Sequence, residues 1–124
     1  VPLREFAQAQ GPVVGLGVKL FGSRIFPELP FSEAFFLPQA RQFRDALSMP
    51  LILLGGINKV ETLHQAMAEG FDLVAMGRAL LREPDLIRRL EAGERDEGLC
   101  IHCNKCMPTI YTGTRCPLAE AVAS

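Results

Sequence analysis

One stretch limits the possible folds more than any other: residues 51–78, LILLGGINKVETLHQAMAEGFDLVAMGR. Leu51, Ile52, Leu53 and Leu54 form an apolar run of strand length without polar alternation, the pattern of a strand buried on both faces in a parallel sheet. Gly55-Gly56 then lets the backbone turn sharply or come close to a ligand. Asn58 predicts a helix N-cap, with Glu61 three residues later in the capping-box position. Val60, Leu63 and Met67 give that helix one apolar stripe, and Gly70 stops it. Leu73, Val74, Ala75 and Met76 predict a second buried strand, with Gly77-Arg78 at its C-terminal end. The whole reads as a βαβ unit with a glycine turn after each strand.

Folds with parallel strands place their ligands at the C-terminal strand ends. Consecutive strands ending in Gly55-Gly56 and Gly77-Arg78 bring two sets of backbone N–H groups together. Arg78 adds a permanent cation whose planar donor fork suits phosphate. Ala79, Leu80 and Leu81 open a short helix whose N-terminus also faces an anion. A phosphate site at Gly55, Gly56, Gly77 and Arg78 is one expectation. The plainer one is that the glycines end strands and Arg78 pairs with a carboxylate.

The longer segment LILLGGINKVETLHQAMAEGFDLVAMGRALLREPDLIRRLEAGE resembles the C-terminal part of the old yellow enzyme family, the NADH:flavin oxidoreductases. The strand ending in Gly55-Gly56, the DLVAMGR segment and the REPDL helix start match it in order and spacing, and the resemblance continues through CIHCNKCMPTIYTGTRCP. It implies a (β/α)8 TIM barrel with FMN at its C-terminal face, with Gly55-Gly56 after the seventh strand, Gly77-Arg78 after the eighth, and both segments on the FMN phosphate. It also implies the reaction: FMN is reduced by NADH or NADPH and passes a hydride to an activated alkene, an enone or enoyl thioester. The family's substrate-holding His or Asn pair and its Tyr proton donor come from earlier strands. His64, His102 and Tyr111 do not match those positions, so no catalytic residue is assigned.

At 124 residues the chain has about half the length a complete eight-stranded barrel needs. The expected fold is therefore α/β, the C-terminal portion of a TIM barrel with about the last two strands and their helices. Residues 1–124 read as a partial FMN-binding domain, the C-terminal piece of an enzyme, with a cysteine-rich segment at 100–117. The isolated chain is expected to be inactive.

That segment holds Cys100, Cys103, Cys106 and Cys116, spaced C-x2-C-x2-C-x9-C, with Pro117 after the last. Thiolate runs of this general form hold iron–sulfur clusters, and a C-x2-C start also suits zinc. The resemblance points to the iron–sulfur branch typified by 2,4-dienoyl-CoA reductase, which implies a [4Fe–4S] cluster. The chain departs from that branch by one residue fewer between the second and third cysteines and a shorter gap before the fourth. The plainer reading is four reduced thiols in a C-terminal hairpin.

A formal net charge of −1 argues against an electrostatic nucleic-acid partner. No apolar run has the length to span a bilayer, and no signal peptide opens the chain. The expectation is a cytoplasmic protein whose partners are NAD(P)H and a small alkene. Two rival functions stand beside it: a phosphate-binding barrel enzyme without flavin, and a non-enzymatic module supporting a metal-binding cysteine cluster.

Elsewhere, VPLREFAQAQ has helical spacing at Leu3, Phe6 and Ala7, and Gly11-Pro12 breaks it. VVGLGVKLFGSRIFPELPF is expected as an ordered, packed excursion. The next helix starts at Ser32 or Pro38, with Ala40, Phe43 and Leu47 inward, Arg41 and Arg44 on a solvated face, and Asp45 at i+4 from Arg41. Pro84 predicts the first position of a helix that buries Leu86, Ile87 and Leu90 and stops at Gly93. Residues 94–98 read as a charged loop and residues 119–124 as a frayed end.

Overall fold

Two parallel strands flanked by short helices carry the middle of the chain. The computed structural model describes residues 2–26 and 30–120. In chain order the elements are α1 (Leu3–Ala9), α2 (Pro12–Ile25), α3 (Leu37–Ala46), β1 (Ile52–Leu54), α4 (Val60–Ala68), β2 (Leu73–Ala75), α5 (Arg78–Arg82), α6 (Leu86–Glu91), a 3-10 helix (Met107–Tyr111) and α7 (Pro117–Glu120). They divide into two units, one formed by Phe31–Cys100 and the other by Val1–Pro30 with Ile101–Ser124.

In the Phe31–Cys100 unit, β1 and β2 pair in parallel with Ile52 opposite Leu73, Leu53 opposite Val74 and Leu54 opposite Ala75. The connection between them is α4, so the predicted βαβ unit is present. Only one face of the sheet is buried, however. Leu53 is 1% exposed while Ile52 and Leu54 are more than half exposed, so the strands alternate where burial on both faces was expected. Leu53 joins Ala34, Leu37, Ile57, Ala66 and Phe71 in the main core, and Ala79, Leu86 and Leu90 form a second one.

Several helix faces and ends differ from the sequence expectation. On α4 the inward residues are Thr62 and Ala66, with Leu63 beside them, whereas Met67 is exposed. A helix pressed onto a sheet needs small side chains at the closest approach, so the inward face follows size as well as hydrophobicity. Asn58 does not cap α4. Its buried side chain donates from Nδ2 to the Gly98 carbonyl at 2.9 Å, and the Gly98 N–H returns a bond to the Asn58 carbonyl at 2.9 Å. This ties the charged 94–98 loop to the helix entrance, where the Val60 N–H also donates to the Asp96 carbonyl. A Cβ on Gly98 would sit 2.6 Å from Asn58 Oδ1 and 2.9 Å from Leu86 Cδ2, so this approach needs glycine.

The α4 helix ends at Gly70 as expected, with the Gly70 N–H bonded to the Met67 carbonyl and the Phe71 N–H to the Ala66 carbonyl. Helix α6 begins at Leu86, one residue after its N-cap Asp85, so Pro84 precedes the cap instead of occupying the first helical position. Ile87 is exposed, and only Leu86 and Leu90 of the predicted trio are buried.

The α3 arginines are engaged, not merely solvated. Arg41 donates to Glu69 through Nε at 2.7 Å and Nη2 at 2.5 Å, and Arg44 Nη1 reaches the Glu69 carbonyl at 2.9 Å. Asp45 pairs with Arg44, its neighbour, instead of Arg41. Of the predicted α3 stripe, Ala40 packs on the core while Phe43 and Leu47 are exposed. The helix spans Leu37–Ala46 with Pro38 in its first turn.

In the other unit, α1 matches its prediction and the expected excursion is mostly the helix α2. Gly15 faces α1 so closely that a Cβ there would lie 2.5 Å from the Ala7 carbonyl oxygen. Phe6 packs against Phe26 and, edge-on, against Tyr111 at 6.2 Å between ring centroids. Residues 27–29 of the excursion and 121–124 of the predicted frayed end lie outside the described residues.

Candidate functional site

Because Leu54 pairs with Ala75 in a parallel ladder, Gly55-Gly56 and Gly77 leave the sheet at the same end. Neighbouring strands lie ~4.8 Å apart, so the two turns start side by side. Gly55 and Gly56 both take positive φ, +114° and +74°, which bends the chain away from β1 in a form L side chains rarely adopt. Gly77 has open space where a Cβ would be, and Arg78, half-buried, is the first residue of α5. All four expected phosphate-site residues are thus carried to one end of the sheet.

Residues 31–36 pack against this turn, which local sequence patterns did not reveal. A Cβ on Gly55 would meet Phe36 Cδ2 at 2.6 Å, and one on Gly56 would meet Phe35 Cδ1 at 2.7 Å and Phe31 Cε2 at 2.9 Å. The Phe35 and Phe36 rings meet edge to face, 4.5 Å between centroids and inclined by 60°. The Ala34 N–H donates to the Gly56 carbonyl at 3.3 Å. Glu33 Oε1 accepts the Asn58 N–H at 2.7 Å and the Lys59 N–H at 3.0 Å. Glu33 thus serves the entrance of α4 from 25 residues away, where a capping box within the helix had been expected.

After α5, Glu83 is buried, and both of its oxygens are used. Oε1 accepts Arg95 Nη1 at 2.6 Å and Oε2 accepts the Leu99 N–H at 2.5 Å. Glu69 is held well below the usual carboxylate range, at about 2, mainly by its hydrogen bond from Arg41 and then by that from Gln65. Asp85 is lowered chiefly by the hydrogen bond from Arg89.

An open depression of about 700 Å³ lies at the start of α4, lined by Lys59, Val60, Glu61, His64, Asp96 and Glu97. Three carboxylates against one Lys make it unsuited to phosphate. His64, which lines this depression, is exposed on the surface of α4.

The cysteines are distributed between the two units. Cys100 packs beside the Ala79, Leu86 and Leu90 core of Phe31–Cys100, whereas Cys103, Cys106 and Cys116 belong to the other unit. All four are half-buried. His102 and Asn104, which flank Cys103, have φ of +55° and +60°. Among the described residues no three His, Cys, Asp or Glu side chains gather into a group able to hold a metal ion. No helix among them is long and apolar enough to cross a membrane.

Comparison with known proteins matches residues 30–97 to the NADH:flavin oxidoreductase / NADH oxidase family. The chain is 62% identical over 122 residues to the 4,4'-dithiodibutanoate disulfide reductase of Rhodococcus erythropolis, covering 98% of this chain and 30% of that protein. It is 34% identical over 82 residues to a multifunctional alkene reductase/demethylase of Caballeronia cordobensis, covering 64% of this chain and 12% of the other. Over 53 residues it is 45% identical to the imidazole glycerol phosphate synthase subunit HisF of a Synechococcus strain, covering 43% and 20%. The chain thus spans less than a third of each of these relatives. No solved structure matches it. With more than half of its length matched, the chain belongs to the NADH:flavin oxidoreductase / NADH oxidase family.

Proposed function

We propose that this chain forms the C-terminal part of a TIM-barrel, FMN-dependent NAD(P)H oxidoreductase and supplies its FMN phosphate site. The observation that supports this most is the common end of β1 and β2, where Gly55-Gly56 and Gly77-Arg78 emerge together. The residues suit the group. The positive-φ glycines turn the backbone sharply, Gly77 leaves open space, and Arg78 brings a permanent charge. Bound FMN would supply hydride transfer between a nicotinamide and the substrate. The part of this chain is to fix the phosphate end and so to orient the flavin.

For the substrate, the family resemblance favours an activated alkene. The relative that covers 98% of the chain favours a small organic disulfide, since disulfide reduction is what its name records. Anaerobic reoxidation of the reduced flavin by an enone and by 4,4'-dithiodibutanoate separates the two. The alternative of a flavin-free phosphate enzyme draws on the HisF likeness, and flavin absorbance of the complete protein decides it. Arg78→Ala is expected to weaken FMN binding by roughly 1.5–3 kcal/mol, the range for a charge-assisted hydrogen bond. Unchanged FMN affinity would refute the phosphate role.

The cysteine run is proposed as an iron–sulfur or zinc site on its spacing and on the chemistry of four thiols. Metal analysis of anaerobically purified complete protein tests it, and less than stoichiometric iron and zinc refutes it. The proposed setting is cytoplasmic, where thiols stay reduced.

A further inference from the structure

The cysteine segment contains a closure of its own, made by one threonine. Cys106 directly precedes the 3-10 helix Met107–Tyr111, and Cys116 directly precedes α7. Gly113, at φ +107°, gives the intervening chain a turn in the left-handed region. Thr109 is buried, and its hydroxyl joins the two ends. Its proton lies between the Cys106 carbonyl at 2.7 Å and the Arg115 carbonyl at 3.1 Å, and its oxygen accepts the Arg115 N–H at 3.0 Å. The Thr109 N–H adds a bond to the same Cys106 carbonyl at 3.2 Å. A single oxygen thus links the peptide of Cys106 to the residue before Cys116, closing the nine-residue gap read in the sequence. Both cysteines are half-buried, open in part to a small molecule. Cys100 belongs to the other unit, and no three metal-ligating side chains gather among the described residues, so the clasp holds a pair and not a set of four.

We propose that Cys106 and Cys116 act as a redox dithiol that reduces a small organic disulfide by thiol–disulfide exchange. This rests on the disulfide reading above, and it gives these two thiols a use that a metal bound to them would exclude. One thiolate of the pair attacks a sulfur of the substrate, the substrate S–S bond breaks, and one substrate thiolate leaves. The second cysteine then attacks the cysteine sulfur of that mixed disulfide, releases the other substrate thiolate and forms the Cys106–Cys116 bond. The two protons of the cysteine thiols end on the two departing thiolates. Two electrons and two protons return the pair to thiols, and their source by class is the reduced flavin of the NAD(P)H oxidoreductase. A disulfide needs Cα atoms roughly 4.4–6.8 Å apart, so the second step depends on the two segments being held together, which is the part of Thr109.

The experiment uses the complete protein, stripped of flavin, reduced and then freed of reductant without oxygen, so that no cofactor delivers electrons. 4,4'-Dithiodibutanoate is added, and released thiol is counted by chromatography. Wild type is expected to release two substrate thiols per chain and to carry a Cys106–Cys116 link in its peptide map. Of Cys106→Ser and Cys116→Ser, the variant that keeps the attacking cysteine should release one thiol and retain the other half of the substrate as an adduct. Thr109→Val should slow closure of the pair roughly tenfold, the worth of one buried hydrogen bond, while release of the first thiol stays within about twofold; Thr109→Ser should restore closure. If a serine variant fails to fold, the wild-type count and map remain decisive. No released thiol, a link from either cysteine to Cys100 or Cys103, or stoichiometric iron or zinc on the protein as purified would overturn the proposal. Wild type with flavin and NADH that leaves the disulfide intact overturns the disulfide reading and this role with it. Undiminished NADH-driven turnover in both serine variants overturns only the dithiol, since hydride then reaches the disulfide without it.

Discussion

Replacing Gly56 by Ala tests whether the turn after β1 depends on glycine for the reasons its geometry gives. At φ +74° an L residue carries a penalty of about 1–2 kcal/mol. The new Cβ would also stand 2.7 and 2.8 Å from Phe35 Cδ1 and Cε1 and 2.9 Å from Phe31 Cε2, closer than real contacts allow. Those rings are 40% and 43% exposed, so they can swing outward, and the overpacking falls near the low end of its usual range, about 1 kcal/mol. The sum is about 2–3 kcal/mol. Urea unfolding of the complete protein, read as a shift in midpoint at constant slope, measures it. The double variant Gly56→Ala/Phe35→Ala removes most of the clash but none of the backbone strain, so the two changes should couple favourably by about 1 kcal/mol. A single-variant cost below ~0.5 kcal/mol, or strictly additive effects, would refute this account of the turn.

Glu33→Ala should destabilise the protein by about 1 kcal/mol, as loss of a helix-entrance acceptor does, and speed hydrogen exchange at the Asn58 and Lys59 amides; unchanged exchange there would count against it. Glu69, held at about 2 against an ordinary value of 4.5, adds stability that is complete above pH ~4.5 and lost as pH falls through about 2. A side-chain NMR titration of Glu69 with its midpoint near 4.5 would show that the Arg41 pairing does not persist in solution. The Arg78→Ala loss of FMN affinity given above belongs with these, and its magnitude should shrink as salt is raised if Arg78 remains partly open to solvent.

The βαβ unit was legible because its signals are local: two apolar runs, two glycine stops and a helical spacing between them. The position of the expected phosphate residues was legible for the same reason, since parallel pairing of consecutive strands puts both following turns at one end. What local patterns missed depends on partners distant in sequence. Asn58 looks like a cap, yet its side chain is committed to Gly98, 40 residues on, and the acceptor at the α4 entrance is Glu33. The α2 helix was hidden by its glycines, which weaken a helical pattern but at Gly15 permit close approach to α1. On α4, hydrophobicity pointed inward at Met67, whereas the residues that are buried are Ala66 and Thr62.

The exposed face of the sheet links the fold to the proposed site. Alternation hides Leu53 and turns Ile52 and Leu54 to the opposite side, and the register sets Leu73 beside Ile52 there. Ile52, Leu54 and Leu73 are 56%, 52% and 60% exposed. Parallel strands with one bare apolar face are rare in isolation, because such sheets are stable when both faces are covered, and two strands alone are marginal. The closed barrel proposed here covers that face with the inward side chains of its other strands. It would also place a wall beside the glycine turns, so that a ligand held there by Arg78 meets protein on more than one side. Closing the sheet and completing the phosphate site are then the same structural event, which is why the isolated chain is expected to be sticky at its strand edges and inactive.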